Sequence, residues 1–466
     1  MGSPTPEVSL TPHMESASPV VSALGALPSN AEARKPTSHS YQNIDEPDGS
    51  LTRWDGTALS HLMLNLLHLS SNIVEEVAGL AFRICDQKGI QVYFVVNAKP
   101  LAQSDNHTTL SLFVEKVWTY LQEQSRLYWE SSKDHKGNFT NIKKELEEVV
   151  EKYSTPVIIK YIREQHDTIQ LLISTLEKPA STRSATVDVI HALKEAAEIL
   201  NILREGNLSP NEVSLKTEEL DICFLSNVRS YLAAARVDES RQFFDIIQRI
   251  TKAKRCLSDI LEEPMAENNR KLFSLPFDRV KFVPNSTLDS HVNLPISKAD
   301  WEAAARETFS LLPDISDHKA REHDISRKVE ELWGEITQEY HLGEHTEPIV
   351  FKAAAHAEVV LLEHLTSRNL LETPGIVPYI VVPGLSCYQC QTYFDFVCRA
   401  KGPVLFDDCH QFDGRPHNRF CFPWVMPGSQ TSDSSRAWKA IVKAVYERLF
   451  GLEDTNPDSD SDSDFD

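Results

Sequence analysis

Apolar positions recur at helical spacing over most of residues 51–276. The stretch from Ala58 to Ile84, with Leu62, Leu66, Leu67 and Val74 at helical offsets, predicts helix. A strand-like run, Gln91–Val96, follows it, and further helices are predicted over 108–130, 139–152, 155–177, 185–204, 210–235 and 239–262. Thr155-Pro156 and Ser209-Pro210 each place a capping hydroxyl before a proline, whose missing N–H costs nothing at the first helical position. After Phe277 the texture changes. Arg279–Val283 reads as a strand, and helices are expected near 299–312 and 322–340. Strand-like 348–352, helical 357–371, strand-like 377–382, helical 388–400 and strand-like 404–406 then alternate, before a last helix over 434–450. That alternation predicts an α/β sandwich at the C-terminal end, preceded by a mostly α-helical region. No repeat of fixed period runs through the chain.

The flanks differ in kind. Residues 1–50 are rich in Ser, Pro, Thr and Ala without apolar periodicity, and are expected to be disordered. Residues 451–466 carry seven acids and no base, an expected acidic tail in which Ser459, Ser461 and Ser463 alternate with aspartates. Four segments follow: 1–50 disordered, 51–276 helical, 277–450 α/β, and 451–466 acidic tail.

Composition adds limits. Hydrophobic content of 41% with 25% charged residues is ordinary for a globular chain. No run approaches the roughly 20 apolar residues of a membrane span. The start has no basic-then-apolar signal pattern, so no membrane partner and a cytoplasmic or nuclear location are expected. A net charge of −21 opposes strong bulk nucleic-acid binding, which depends on Lys and Arg neutralising phosphates. From Glu344 to Gly451, however, 11 acids meet 10 bases, so charge there leaves room for a nucleobase-containing substrate. The helical region is a candidate surface for a protein partner.

Chemistry is concentrated near the C-terminal end. Five of the eight cysteines (Cys387, Cys390, Cys398, Cys409 and Cys421) share one short window, which in an intracellular chain points to metal or catalysis. His356-Ala-Glu358 and Cys387-Tyr-Gln-Cys390 each stand at an expected strand-to-helix junction, with room between them for a helix, a turn and a strand. Zinc favours nitrogen and thiolate donors, and a catalytic zinc keeps one position open for water. Thiols at a helix N-terminus are expected to have lowered pKa values. His356, Cys387 and Cys390 are therefore candidate ligands for Zn2+. Glu358 is the candidate catalytic proton shuttle beside acidified water. A rival set, Cys387, Cys390, Cys409 and either His410 or Cys421, makes a closed structural site with no open position. His417 and Trp424 are candidate substrate-lining residues, the indole as a stacking platform.

His-x-Glu followed by Cys-x-x-Cys is the residue set of zinc deaminases. On these residues the chain resembles the cytidine-deaminase-like superfamily. It is most similar there to the OTT-type deaminase-like domains expanded in fungi, through Ser386-Cys-Tyr-Gln-Cys390, Gly414-Arg-Pro-His417 and Phe422-Pro-Trp-Val-Met-Pro427. The likeness covers roughly the last 150 residues. The wider superfamily has Pro before the first cysteine where this chain has Ser386. The resemblance implies a three-layer deaminase-like sandwich and hydrolytic deamination of an amino-bearing base. The other expectation is a non-catalytic, zinc-stabilised interaction scaffold on a degenerate fold of this kind.

Overall fold

The structure is a computed structural model that describes residues 13–27, 56–73, 77–85, 88–96, 104–130, 139–177, 187–205, 208–223, 238–287, 289–310, 312, 318–370, 376–382, 387–401, 405–407, 420–426 and 432–450. Among them the chain is mostly helical, with a small mixed sheet. The helices are α1 (His13–Ala26), α2 (Gly56–Ile73), α3 (Ser104–Glu130), α4 (Phe139–Glu164), α5 (His166–Glu177), α6 (Val187–Glu205), α7 (Pro210–Cys223), α8 (Asp238–Glu262), α9 (Lys298–Phe309), α10 (His318–Glu339), α11 (Ala357–Ser367), α12 (Tyr388–Lys401) and α13 (Ser432–Phe450). The strands are β1 (Val77–Cys85), β2 (Gly89–Val96), β3 (Phe277–Pro284), β4 (Ser290–Leu294), β5 (Ile349–Ala353), β6 (Ile376–Val381) and β7 (Leu405–Asp407). Among the described residues no helix is long and apolar enough to cross a membrane.

Five strands make one sheet in the order β3-β2-β1-β6-β7. β1 is antiparallel to both β2 and β6, while β3 runs parallel to β2 and β7 parallel to β6. The sheet thus joins strands from both sides of the sequence division at residue 276. Gly89 closes the β1–β2 hairpin at φ 85°, and a Cβ there falls 1.9 Å from the Pro276 carbonyl oxygen, so the turn needs glycine.

Strand alternation divides the side chains between two cores. Leu80, Phe82, Ile84, Ile90, Val92 and Phe94 face α2, α3 and the C-terminal half of α8. Ala81, Tyr93, Val95 and Ile380 face the other way, into a core shared with α1, α11, α12 and α13. A third core lies among α4, α6, α7 and the N-terminal half of α8, built on Ile158, Ile162, Leu200, Leu203, Leu220 and Ile247. Helices α4 and α8 are long enough to serve two cores each. Leu146 and Val150, like Leu257 and Ile260, reach the sheet side, whereas Ile158 and Ile250 reach the bundle.

Several expectations change. The helix from Ala58 stops at Ile73, and 77–85 is the central strand β1. A strand buried on both faces reads as a continuous apolar run, which periodicity alone does not separate from a buried helix. Thr155-Pro156 starts no helix, because α4 runs through Pro156. Ser209-Pro210 does start one, with Ser209 and Glu212 exchanging hydrogen bonds as a capping box. Residues 13–27 lie in the segment expected to be disordered, yet α1 buries Val20, Val21 and Leu24, and Leu27 just past its end is buried too. The stripe is short and its flanks are polar, which hid it. β5 pairs with β4 in a separate two-stranded ribbon, so the sheet neighbour that completes the α/β alternation is β1 from far upstream. The acidic tail lies outside the described residues.

Candidate metal centre

His356 is the N-cap of α11, in extended backbone (φ −68°, ψ 152°). Its side chain makes no capping bond, which leaves the ring available, while its carbonyl accepts from the Val359 and Val360 N–H groups. The loop before it is pinned from the end of β3. The Asn285 side-chain amide donates to the Ala355 carbonyl (3.0 Å), and the Ala355 N–H donates to Thr287 Oγ1 (2.7 Å). Asn285 also donates its own N–H to the Val96 carbonyl at the end of β2 (3.4 Å). Gly79 of β1 admits α11 closely, since a Cβ there meets Ala357 Cβ at 3.0 Å and Leu361 Cδ1 at 3.3 Å.

Cys387 directly precedes α12 and Cys390 lies in its first turn, so both sulfurs gather at one helix start. Tyr393 of α12 donates its hydroxyl to Glu363 of α11 (2.7 Å), tying the two helices together. The helix starts thereby lie side by side.

The donor atoms converge. His356 Nδ1 stands 3.5 Å from Cys387 Sγ and 3.3 Å from Cys390 Sγ, and the two sulfurs are 3.4 Å apart. Glu358, only 4% exposed, brings Oε1 to 3.8 Å from His356 Nδ1. His356, Glu358 and Cys390 form one group able to hold a metal ion, and His356, Cys387 and Cys421 form another, each with its donor atoms within 4.8 Å of one another. Trp424 donates its indole N–H to Cys390 Sγ (3.3 Å).

Burial dominates the electrostatics of the sulfurs. Desolvation pushes the Cys390 thiol up to about 12, and Cys387 rises well above the ordinary thiol range for the same leading reason. The Cys421 thiol is raised too, first by its hydrogen bond to Cys387 and then by burial. The lowered thiol pKa values expected at the helix start are therefore not found. A fully buried sulfur loses more by desolvation than the partial charge of a helix end returns. Loading a cation here must displace thiol protons, so affinity for metal is tied to pH.

The structure thus brings together His356, Glu358, Cys387 and Cys390. Trp424 lies in the same cluster, buried and turned to a sulfur rather than presenting an open ring face. His417, Cys409 and His410 lie outside the described residues. Cys421 joins His356 instead of replacing it, so the two ligand sets drawn from the sequence overlap in space. His364, on α11, rests against the Tyr93 ring, and burial lowers its pKa. Sequence reasoning missed Asn285, Thr287 and Gln389. Gln389 is completely buried between the two cysteines, accepting from the Cys421 N–H (3.0 Å) and donating to the Cys421 carbonyl (2.8 Å). Its place inside Cys-x-x-Cys was the one available signal. Compared with protein-family models, curated proteins and solved structures, the chain matches none significantly.

Proposed function

We propose that the chain is a zinc-dependent hydrolytic deaminase acting on an amino-bearing nucleobase, free or within a nucleoside or nucleic acid. His356, Cys387 and Cys390 hold the zinc in this reading, and the sheet with helices on both faces is a three-layer deaminase-like sandwich. The observation that carries it is the convergence of His356, Cys387 and Cys390 with a buried carboxylate, Glu358, at two adjacent helix starts.

The donor set fits the ion. Zinc bond lengths in a tetrahedron put sulfur–nitrogen edges near about 3.6 Å and sulfur–sulfur edges near about 3.8 Å. The distances between these donors fall inside those values, by at most a few tenths of an ångström. When bound, zinc acidifies water towards neutrality and so supplies a nucleophile at physiological pH. The chain's residues do the rest. Glu358 carries one proton of the attacking water to a ring nitrogen of the base and the other to the amino group, which leaves as ammonia as its C–N bond breaks and the ring carbon keeps the water's oxygen. Trp424 holds the Cys390 sulfur in place, as outer-shell donors do at metal sites.

The test has two steps. Elemental analysis of the purified chain is expected to give about one zinc, lost in His356→Ala. Ammonia release is then measured on a panel of cytosine and adenine compounds, for wild type and for Glu358→Gln. Turnover by wild type alone, with zinc kept in Glu358→Gln, supports deamination. Turnover in both defeats the proton-shuttle role, and zinc without turnover in either favours the scaffold reading.

A further inference from the structure

We infer that Cys421 is a fourth, removable ligand that closes the metal centre at rest, giving three thiolates and one imidazole. The inference depends on metal binding by His356, Cys387 and Cys390, and concerns how access to that centre is regulated.

The Cys421 sulfur lies within 4.8 Å of both the His356 ring nitrogen and Cys387 Sγ. Its backbone is clamped at both peptide groups by Gln389, which sits inside the Cys-x-x-Cys turn itself. The flanking residues are fixed too. Trp424 bonds to Cys390, Phe422 packs on Tyr340 and Phe351 with ring centroids 5.4 and 5.1 Å away, and Phe420 lies 4.8 Å from Tyr388. The segment 420–426 is therefore held against the centre with a thiol within reach of it. Glu358 is grouped with Cys390 and His356. Zinc accepts a closed Cys3His set as readily as a three-ligand set with water. Given a sulfur fixed at this range, thiolate is the donor that fills the position, and Glu358 stays outside the coordination shell.

Removal is asymmetric. Cys387 and Cys390 are fully buried at the start of a helix, whereas Cys421 is partly exposed on an irregular segment. Release of the Cys421 thiol uncovers one coordination position while His356, Cys387 and Cys390, held at the starts of α11 and α12, keep the other three. Water and an amino-bearing ring enter only then.

Zinc K-edge X-ray absorption on the full chain counts the sulfur neighbours directly. Wild type is expected to show three sulfurs near about 2.3 Å and one nitrogen near about 2.0 Å. Cys421→Ala is expected to keep one zinc per chain with two sulfurs, the lost one replaced by a lighter atom. Should Cys421→Ala not fold, Cys421→Ser keeps the size of the side chain and the Gln389 clamp, and is expected to give the same two-sulfur count. Two sulfurs in wild type overturn the inference and leave the three-ligand centre standing. Three sulfurs in the folded variant also overturn it, by assigning the third thiolate to another cysteine. A wild-type chain without zinc overturns the metal reading, and this inference falls with it.

Discussion

The bundle of α4 to α8 and the seam between α11 and α12 bury different side chains to opposite ends. In the bundle, the interior is aliphatic, Ile158, Leu200, Leu220 and Ile247 among others, and charges stay near the surface in pairs such as Lys254–Glu218 (2.5 Å) and Arg255–Asp221. In the seam, a carboxylate, two thiols and a glutamine amide are buried, the thiols bonded to one another and the amide to the Cys421 backbone. Buried polar groups are costly unless satisfied. A region that keeps several of them together at fixed distances is a candidate for chemistry, while a region whose buried hydroxyls bond only within their own helices, as those of Thr217 and Thr251 do, is organised for shape.

The sharpest way to break this comparison is to remove a seam donor. His356→Ala is expected to lower zinc affinity by orders of magnitude and abolish stoichiometric zinc, as measured by elemental analysis after dialysis. The bundle should respond in the opposite sense. Ile247→Ala is expected to cost about 2–5 kcal/mol in urea unfolding yet leave the folded chain's zinc content unchanged. Zinc lost from the folded Ile247→Ala chain would mean the two regions are not independent.

Asn285→Ala probes the support of the seam rather than its donors. Leaving the Ala355 carbonyl unpaired is expected to cost about 1–3 kcal/mol and to weaken zinc binding in competition with a chelator, with the ligands themselves untouched. A purely structural Asn285 shifts only the first readout.

The sheet's other face offers a pH test. His68 is buried, and desolvation followed by repulsion from Lys252 lowers its pKa to about 2. The unfolded chain therefore binds a proton below pH 6.5 that the folded one refuses, so stability falls with acidification. This amounts to about 2 kcal/mol between pH 8 and pH 5. Urea midpoints at the two pH values should converge in His68→Gln. At the small end, Arg255→Ala removes a partly exposed ion pair of the bundle and is expected to change stability by less than about 1 kcal/mol.

Legibility followed locality. His-x-Glu and Cys-x-x-Cys were readable because each motif's chemistry sits within one helical turn. The bundle was readable from its apolar spacing. Gln389 and Asn285 were not, and Cys421 was readable only within the rival closed site and not beside His356, since these roles arise only when segments 32 to 70 residues apart meet. β1 was obscured for another reason: burial on both faces erased the alternation that marks a strand. α1 was hidden by the composition around it, although Tyr340 donates its hydroxyl to the Ala23 carbonyl across the whole chain (2.9 Å).

The Asn285 bridge between the Val96 and Ala355 carbonyls bears on the order of assembly. The chain leaves the sheet at Val96, rejoins it in β3, and comes back beside the same point at His356, so residues 97–355 form one excursion pinned at Asn285. In equilibrium terms such a loop is inexpensive, since each doubling of length adds only about 0.6 kcal/mol of closure entropy. In time it is not. Contacts between residues so distant in sequence form late, after local helices have condensed and shortened the distance to be searched. His356 is therefore expected to reach its place after the excursion has folded, so that a metal ion bound there would be a final fastening of the molecule and not the template on which it forms.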